Sequence, residues 1–582
     1  MKVLLTTLNA KYIHSSLALR YLEKYCQNGN YEMVVEEYTI NDHLDSITAN
    51  IYKTGTDIIA FSCYIWNISM ILEIADRLKK VKPDSIIILG GPEVSYDAGE
   101  ILSKHTFIDY IIVGEGEETL KGLLEYLTNG QQPLENMKGI AYRDAYKNII
   151  INESRPLICD LDKIPSPYSE RDISKLTGKI VYYETSRGCP FNCSYCLSST
   201  IHGVRYFSMD RVKSDLLFLI KNDVKQVKLV DRTFNCDKDR TMELFKFLVE
   251  NQKNTSFHFE IAADLLDDKM IEYLAGIPKG LFQFEIGVQS TNLNTISAID
   301  RKTNFEKLAA NVKKLSRVDN IHLHLDLIAG LPEEDYQSFI RSFDDVYRLS
   351  PHVLQMGFLK LLKGSKIRQQ AGEYEYQHTT LPPYEVLRNK WIGYGEILKL
   401  KGVEDVLEKY HNSKVFEKSL GYILKRFYKS PFKFFEDLSE YFAQEGMDRL
   451  AHSRKALYDI LFEFYNKRFG IEVDIFSQYL KFDLFYHQKG IQPPYWAKSK
   501  DIPDFKEKCF NFLKNEENVR KFLPQYIEIP PKKIIKEVDF HVFDFDVLAD
   551  IFNDRPAKQE TVVLYDYQFS KVYNVTAQFN NK

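Results

Sequence analysis

Two separate stretches of this chain alternate apolar β-runs with amphipathic helical patterns, and that alternation restricts the fold more than any other feature. In the first stretch, candidate strands lie at Lys2–Thr7, Met33–Thr39, Asp57–Ser62, Ser85–Leu89 and Tyr110–Val113. Helical spacing fills the intervals, as at Ser69–Lys80, where Ile71, Leu72, Ala75 and Leu78 share one face. Near-continuous apolar strands separated by helices predict a parallel sheet covered on both sides. The second series runs from Ile180 to about Leu362, with strands at Val181–Thr185, Gln226–Val230, Phe257–Ala262, Leu281–Gly287 and His322–Ala329. Repeated βα units of this kind predict a full or partial barrel.

Between the two series, Asn152–Lys179 carries three prolines and weak periodicity, and reads as a linker. After about Glu373 the texture changes. Tyr384–Lys401 and Leu424–Phe435 read as helices within aromatic-rich sequence, and Val538–Val547 and Thr561–Tyr567 as strands. The expected fold class is α/β: a Rossmann-like domain at 1–150, a linker at 151–179, a partial TIM-like barrel at 180–372, and a mixed, mainly helical C-terminal domain at 373–582.

The chain of 582 residues has 44% hydrophobic and 27% charged residues, ordinary values for a globular protein. A net charge of −4 gives no global attraction to nucleic acid or anionic membrane. No apolar run reaches the roughly 18 residues that a membrane helix needs. MKVLLTT reads as a strand rather than a signal peptide, so a cytoplasmic location is expected.

Three strands of the first series end in small or turn-forming residues: Ser62-Cys63, Gly90-Gly91-Pro92-Glu93 and Gly114-Glu115-Gly116-Glu117. Ligands of open α/β sheets bind beyond the carboxyl ends of the strands, which makes these loops the candidate ligand rim. Gly114-x-Gly116 follows the last strand instead of the first and is a poor dinucleotide fingerprint.

Of eight cysteines, Cys189, Cys193 and Cys196 fall together in SRGCPFNCSYCLS, directly after the strand VYYET. Three thiolates at C-x3-C-x2-C can bind three irons of a cubane and leave the fourth without a protein ligand, whereas ferredoxins generally supply a fourth cysteine. An open iron lets a substrate bind the cluster directly. The competing reading is a structural zinc site, which wants a fourth Cys or His at a second paired spacing, and His202 is the only nearby candidate.

CPFNCSYC resembles the CxxxCxxC signature of the radical S-adenosylmethionine (SAM) superfamily, including the aromatic Tyr195 before the last cysteine. The resemblance implies a 4Fe-4S cluster on the three cysteines, whose open iron holds SAM and whose electron releases a 5′-deoxyadenosyl radical. Further segments of Ile180–Leu362 resemble the family in order. LVDRTF would place Asp231 near the SAM amino group. FEIGVQS would turn Glu285, Gln289 and Ser290 toward the SAM pocket, although Glu285 also reads as half of a barrel ion pair. HLDLIAGLPEE would bring Asp326 and Gly330 near the adenosyl moiety, and Arg205 resembles the basic position after the cluster loop. An oxygen-labile enzyme working anaerobically, with a reducing partner such as flavodoxin or ferredoxin, is implied.

A Rossmann-like domain ahead of such a core resembles the cobalamin-binding radical SAM class. The resemblance implies a corrin over the sheet edge near Ser62, Gly90, Gly91, Gly114 and Glu115. No D-x-H-x-x-G motif is present, which argues against a histidine lower ligand, and His14 reads as a plain loop histidine. Methylthiotransferases carry three more cysteines in this position, but only Cys26 and Cys63 occur here, so a second cluster is not expected. The class implies a methyltransferase acting on an unactivated carbon of an unknown substrate. Radical rearrangement, cyclisation or ring contraction without methyl transfer is the alternative. A noncatalytic iron–sulfur or metal-sensing RNA-binding protein is the reading from another class. It rests on Lys418, Lys425, Arg426, Lys429 and Lys433 interleaved with Tyr422, Phe427, Tyr428, Phe432, Phe434 and Phe435. At helical spacing those aromatics read instead as core.

Overall fold

The computed structural model describes residues 1–27, 30–130, 133–201, 203–498, 502–548 and 558–580. His202 lies outside them. The chain divides into two compact units, Met1–Pro351 with Gln355–Ile397, and Leu398–Lys582 with His352–Leu354.

The first unit opens with β1 (Lys2–Asn9), β2 (Glu32–Thr39), β3 (Ile58–Ser62), β4 (Ile86–Gly90), β5 (Tyr110–Ile112), β6 (Ile140–Arg143) and β7 (Ile149–Ile151). They form one sheet in the order β2-β1-β3-β4-β5-β6-β7. The first five strands are parallel, and β6 and β7 add an antiparallel edge that the strand–helix pattern does not predict. Side chains alternate between two apolar layers, as strand geometry requires. Leu4, Ile59, Ile87 and Leu89 pack on one face against Ile71, Ile74 and Leu78. Val3, Leu5, Ile58 and Ile88 pack on the other against Leu19, Leu120 and Leu123. The chain reverses direction across the sheet between β1 and β3, and the crevice beyond that switch point is where doubly wound sheets bind ligands.

The segment 151–179 is a fastened strap. A short helix at Glu170–Lys175 places Asp172, which is buried, against Lys24 at 2.8 Å and Arg20 at 3.5 Å. Polar contacts between distant residues hold it, and these leave no periodic trace in the sequence.

A second parallel sheet follows, built from β8 (Val181–Tyr183), β11 (Gln226–Leu229), β12 (Ser256–Ile261), β13 (Phe282–Gln289), β14 (His322–Ala329) and β15 (Val353–Phe358), adjacent in that order. The antiparallel hairpin β9 (Ser186–Cys189) and β10 (Gly203–Tyr206) interrupts it after the first strand. Burial alternates strictly along β13 and β14. Phe282 and Phe284 join Phe245 and Phe259 in an aromatic layer beneath the helices. The opposite face carries Lys228, His258, Glu260, Glu285, His324 and Asp326. Tyr384–Lys401 is not one helix. Asn389 Oδ1 accepts from the N–H groups of Trp391 and Ile392, which ends the short strand Val386–Arg388 in a turn before the helix Tyr394–Leu407.

The second unit holds the helices Glu417–Phe427, Pro431–Gln444, Arg454–Arg468 and Val473–His487 and a three-stranded antiparallel sheet of Val538–Phe543, Thr561–Asp566 and Lys571–Asn574. The expected helix Leu424–Phe435 is broken. Ser430 accepts from the N–H of Lys433 and caps a new helix with Pro431 in its first turn. Tyr422, Phe432, Phe434 and Phe435 are buried, so they form core and present no stacking surface to a nucleic acid.

Candidate corrin and cluster site

A cavity of about 630 Å³ sits at the switch point of the first sheet. Asn9 and His14 line it from the end of β1, Ser62, Tyr64 and Trp66 from the end of β3, Gly90 and Gly91 from β4, and Gly114 from β5. Deeper, Leu5, Leu19, Ala60, Ile88, Ile112 and Leu120 make an apolar slot between the sheet and its helices. The far wall comes from the second sheet and its hairpin: Tyr182, Glu184, Arg187 and Val230. Gly91 has φ 109°, and a Cβ there would stand 2.5 Å from the Cys63 carbonyl oxygen, so only glycine lets the β4 turn close over β3.

Ser62, Gly90, Gly91 and Gly114 therefore meet at the cavity, but Glu115 is not among its lining residues. Glu115 pairs with Arg205 at 2.7 Å and with Arg187 at 3.4 Å, two cations that outcompete the cavity for its carboxylate. Arg205 also donates to the Ile158 carbonyl at 2.6 Å. Residues expected at two different ligands thus bind each other. His14 departs from its plain-loop reading. Its Nδ1 lies 2.6 Å from the Tyr182 hydroxyl on the cavity wall, and burial pushes its pKa down. Arg187, inside the cysteine motif, was missed as a site residue. It links Glu117 at 2.6 Å and Glu184 at 2.8 Å, and burial, opposed by that guanidinium, pushes Glu184 up to about 7.

The cysteine loop begins two residues beyond Arg187. Gly188 has φ 103°, and a Cβ there would lie 2.1 Å from the Gly203 carbonyl oxygen, so the hairpin closes only on glycine. Cys193 is buried while Cys189 and Cys196 are half-buried. Their sulfurs already meet polar groups: Thr233 Oγ1 lies 3.5 Å from Cys189, and the Ser198 N–H donates to Cys196 at 3.4 Å. Arg301 Nη1 donates to Cys193 at 3.7 Å and to the Tyr195 hydroxyl at 3.1 Å. Among the described residues, no three His, Cys, Asp or Glu side chains converge on a single-metal site. Three soft thiols on one loop, each in polar contact, fit a cluster that spreads its ligands over separate irons.

The remaining expected SAM residues divide. Asp231 is buried and accepts from Thr185 N at 3.0 Å, Thr185 Oγ1 at 2.7 Å and Ser186 Oγ at 2.5 Å, so it clamps the turn that leads into the cysteine hairpin. Ser290 donates to Glu334 at 2.5 Å, and the Gly330 carbonyl accepts from Tyr376 and Asn389 at 2.9 and 3.0 Å. Glu285 is the ion-pair partner of Lys228 at 2.8 Å and lies 2.9 Å from His258 Nε2. Burial opposes its ionisation, yet those two neighbours hold it down to about 2. Asp326 lies 3.2 Å from His324. Gln289 sits at φ 71°, where the pairing of β13 with β14 slips by one residue, and its buried Oε1 has no hydrogen-bond partner. A bulge of this kind re-aims a side chain beside a site. Lys228, His258 and His324 were missed. Only the period-2 alternation that sets them opposite the phenylalanines could have found them.

Comparison with known proteins agrees with this geometry. The B12 binding domain family matches residues 3–124 and the Radical SAM superfamily matches 183–346. The chain carries a B12-binding domain followed by a radical SAM domain. A third family, a protein of unknown function designated DUF4080, matches 372–565. The cobalamin-dependent radical SAM methyltransferase TokK of Streptomyces tokunonensis is 26% identical over 332 residues, 52% of this chain and 47% of that protein. The 2-(S-pantetheinyl)-carbapenam-3-carboxylate methyltransferase of Streptantibioticus cattleyicolor is 26% identical over 309 residues, 49% of this chain and 44% of that protein. The chain thus spans about half the length of these curated relatives. Among solved structures, the cobalamin-dependent S-adenosylmethionine radical enzyme OxsB with aqua-cobalamin bound superposes with a TM-score of 0.61 at 15% identity. That match covers 85% of this chain and 82% of OxsB.

Proposed function

We propose that this chain is a cobalamin-dependent radical SAM methyltransferase acting on an unactivated carbon. The observation that carries the proposal is the shared wall: Arg187 and Glu184 line the corrin-sized cavity, and Cys189 follows Arg187 by two residues. A corrin in the cavity and a cluster on the loop would then face one space. When bound, the cluster with SAM supplies a 5′-deoxyadenosyl radical and cobalamin supplies a methyl group.

Cys189, Cys193 and Cys196 would hold the cluster. Ser62, Gly90, Gly91 and Gly114 would border the corrin, and the apolar slot behind them would keep water out of the cavity. Tyr64 and Trp66, stacked at 4.5 Å between ring centroids, give that cavity a rigid aromatic floor. Gln289 Oε1 would accept from the SAM amino group. Its Nε2 lies folded over Gly287, 2.2 Å from where a Cβ would stand. The charged barrel face would receive the substrate. A one-electron donor such as flavodoxin or ferredoxin, and a cytoplasmic location, complete the reading. No helix among the described residues is long and apolar enough to cross a membrane.

The test is anaerobic purification with added cobalamin, followed by iron and corrin quantitation and a dithionite-driven SAM cleavage assay. Bound corrin, iron and 5′-deoxyadenosine, with a one-methyl mass gain in the product, are expected. Iron and cleavage without corrin would remove methyl transfer, and an isomerised product would favour rearrangement.

A further inference from the structure

Arg301 follows the helix Leu293–Ala298, where its backbone N–H closes onto the Ile296 carbonyl at 3.0 Å. Its guanidinium reaches inward to three groups: Cys193 Sγ at 3.7 Å, the Tyr195 hydroxyl at 3.1 Å and the Gly287 carbonyl at 2.5 Å. The Nε–H is buried and has no hydrogen-bond partner. Among the described residues no carboxylate forms an ion pair with this side chain, in contrast to Arg187 and Arg205. An arginine stays charged, and a buried charge without a counter-ion is costly. The groups it touches that can carry negative charge are a phenol and a thiol of the cysteine loop.

We propose that the counter-ion of Arg301 is the iron–sulfur cluster itself, and that this residue sets the cluster's reduction potential. The inference rests on the cluster reading of the three cysteines. Reduction adds one electron, supplied by dithionite or the protein's electron donor, and so one negative charge to the cluster. A fixed cation hydrogen-bonded to a ligand sulfur stabilises the reduced form more than the oxidised form. Arg301 is therefore a positioning residue that makes the first electron easier to accept, and its link to Gly287 ties that charge to the β13 segment expected at SAM.

The experiment is a potentiometric titration of anaerobically reconstituted protein, read by the electron paramagnetic resonance of the reduced cluster, with iron and sulfide counted per chain. At a fixed solution potential, Arg301→Gln is expected to show a reduced-to-oxidised ratio lower by about tenfold, which is about 59 mV for a one-electron couple. Arg301→Lys keeps the charge without the planar fork and is expected to fall by roughly threefold. Tyr195→Phe leaves the guanidinium in place and is expected to stay within about twofold of the unaltered protein. A fully loaded Arg301→Gln variant that titrates like the unaltered protein would overturn the proposal. If Arg301→Gln takes up no iron, an unshifted Arg301→Lys overturns it. Failure of both to load makes Arg301 a scaffold for the loop, which overturns it as well. Unaltered protein without a 4Fe-4S cluster would instead overturn the cluster reading, a separate result.

Discussion

The two parallel sheets of the first unit solve the same packing problem differently. The N-terminal sheet packs an apolar layer on each face, and its cavity lies at the ends of its strands. The barrel sheet is apolar on one face only. Its other face holds the Lys228–Glu285 ion pair, with His258 against Glu285 and with Glu260 and Asp326 beside it. Backbone and small residues therefore shape the first site, whereas charged side chains on rigid strands shape the second. A site at strand ends tolerates bulk poorly. A site on a strand face is sensitive to charge.

Four substitutions probe that contrast, beginning with the largest effect. Cys193→Ala should abolish cluster uptake and all 5′-deoxyadenosine formation, measured by iron content and product chromatography, while corrin binding at the first sheet persists. Gly91→Ala should cost about 2–3 kcal/mol of stability in denaturant unfolding, from the positive φ and the Cys63 carbonyl contact, and should weaken corrin binding tenfold or more. An unaffected Gly91→Ala breaks the comparison.

Glu115→Gln should cost about 2 kcal/mol, because it leaves Arg187 and Arg205 half-buried without their shared carboxylate. Thermal unfolding of the intact chain reads it. Glu260→Gln gives the smallest effect, with opposite sign. Burial and the neighbouring Glu285 push Glu260 up to about 7. A carboxylate raised in the folded state contributes stability below its unfolded pKa and loses it as pH rises through about 7. The substitution should therefore stabilise by about 1–2 kcal/mol at pH 8 and change little near pH 4. A melting temperature that drops at pH 8 would mean Glu260 is a needed partner of Lys228, which stands 3.8 Å away.

Legibility in the sequence followed the same divide. Strand-end residues such as Ser62, Gly90, Gly91 and Gly114 could be placed because turn chemistry is local. The cysteine loop could be placed because its spacing is local too. Arg205, Glu115 and Asp231 stood out as polar residues near motifs, but their partners are distant in sequence: Arg205 meets Glu115 across ninety positions. Single-chain patterning carries no record of such pairings. The same holds for Asp172, whose partners Arg20 and Lys24 turn an apparent linker into a strap. Arg301 was invisible for another reason. Nothing in IDRKTN marks it, and only the fold brings it to Cys193.

Arg187 has one further consequence. The same side chain walls the cavity and leads into the cysteine hairpin, so any energetic coupling between the two sites would run through it. Whatever factor corrin adds to the affinity of the loop for iron, iron must add to the affinity of the cavity for corrin, because binding free energies around a closed cycle are reciprocal.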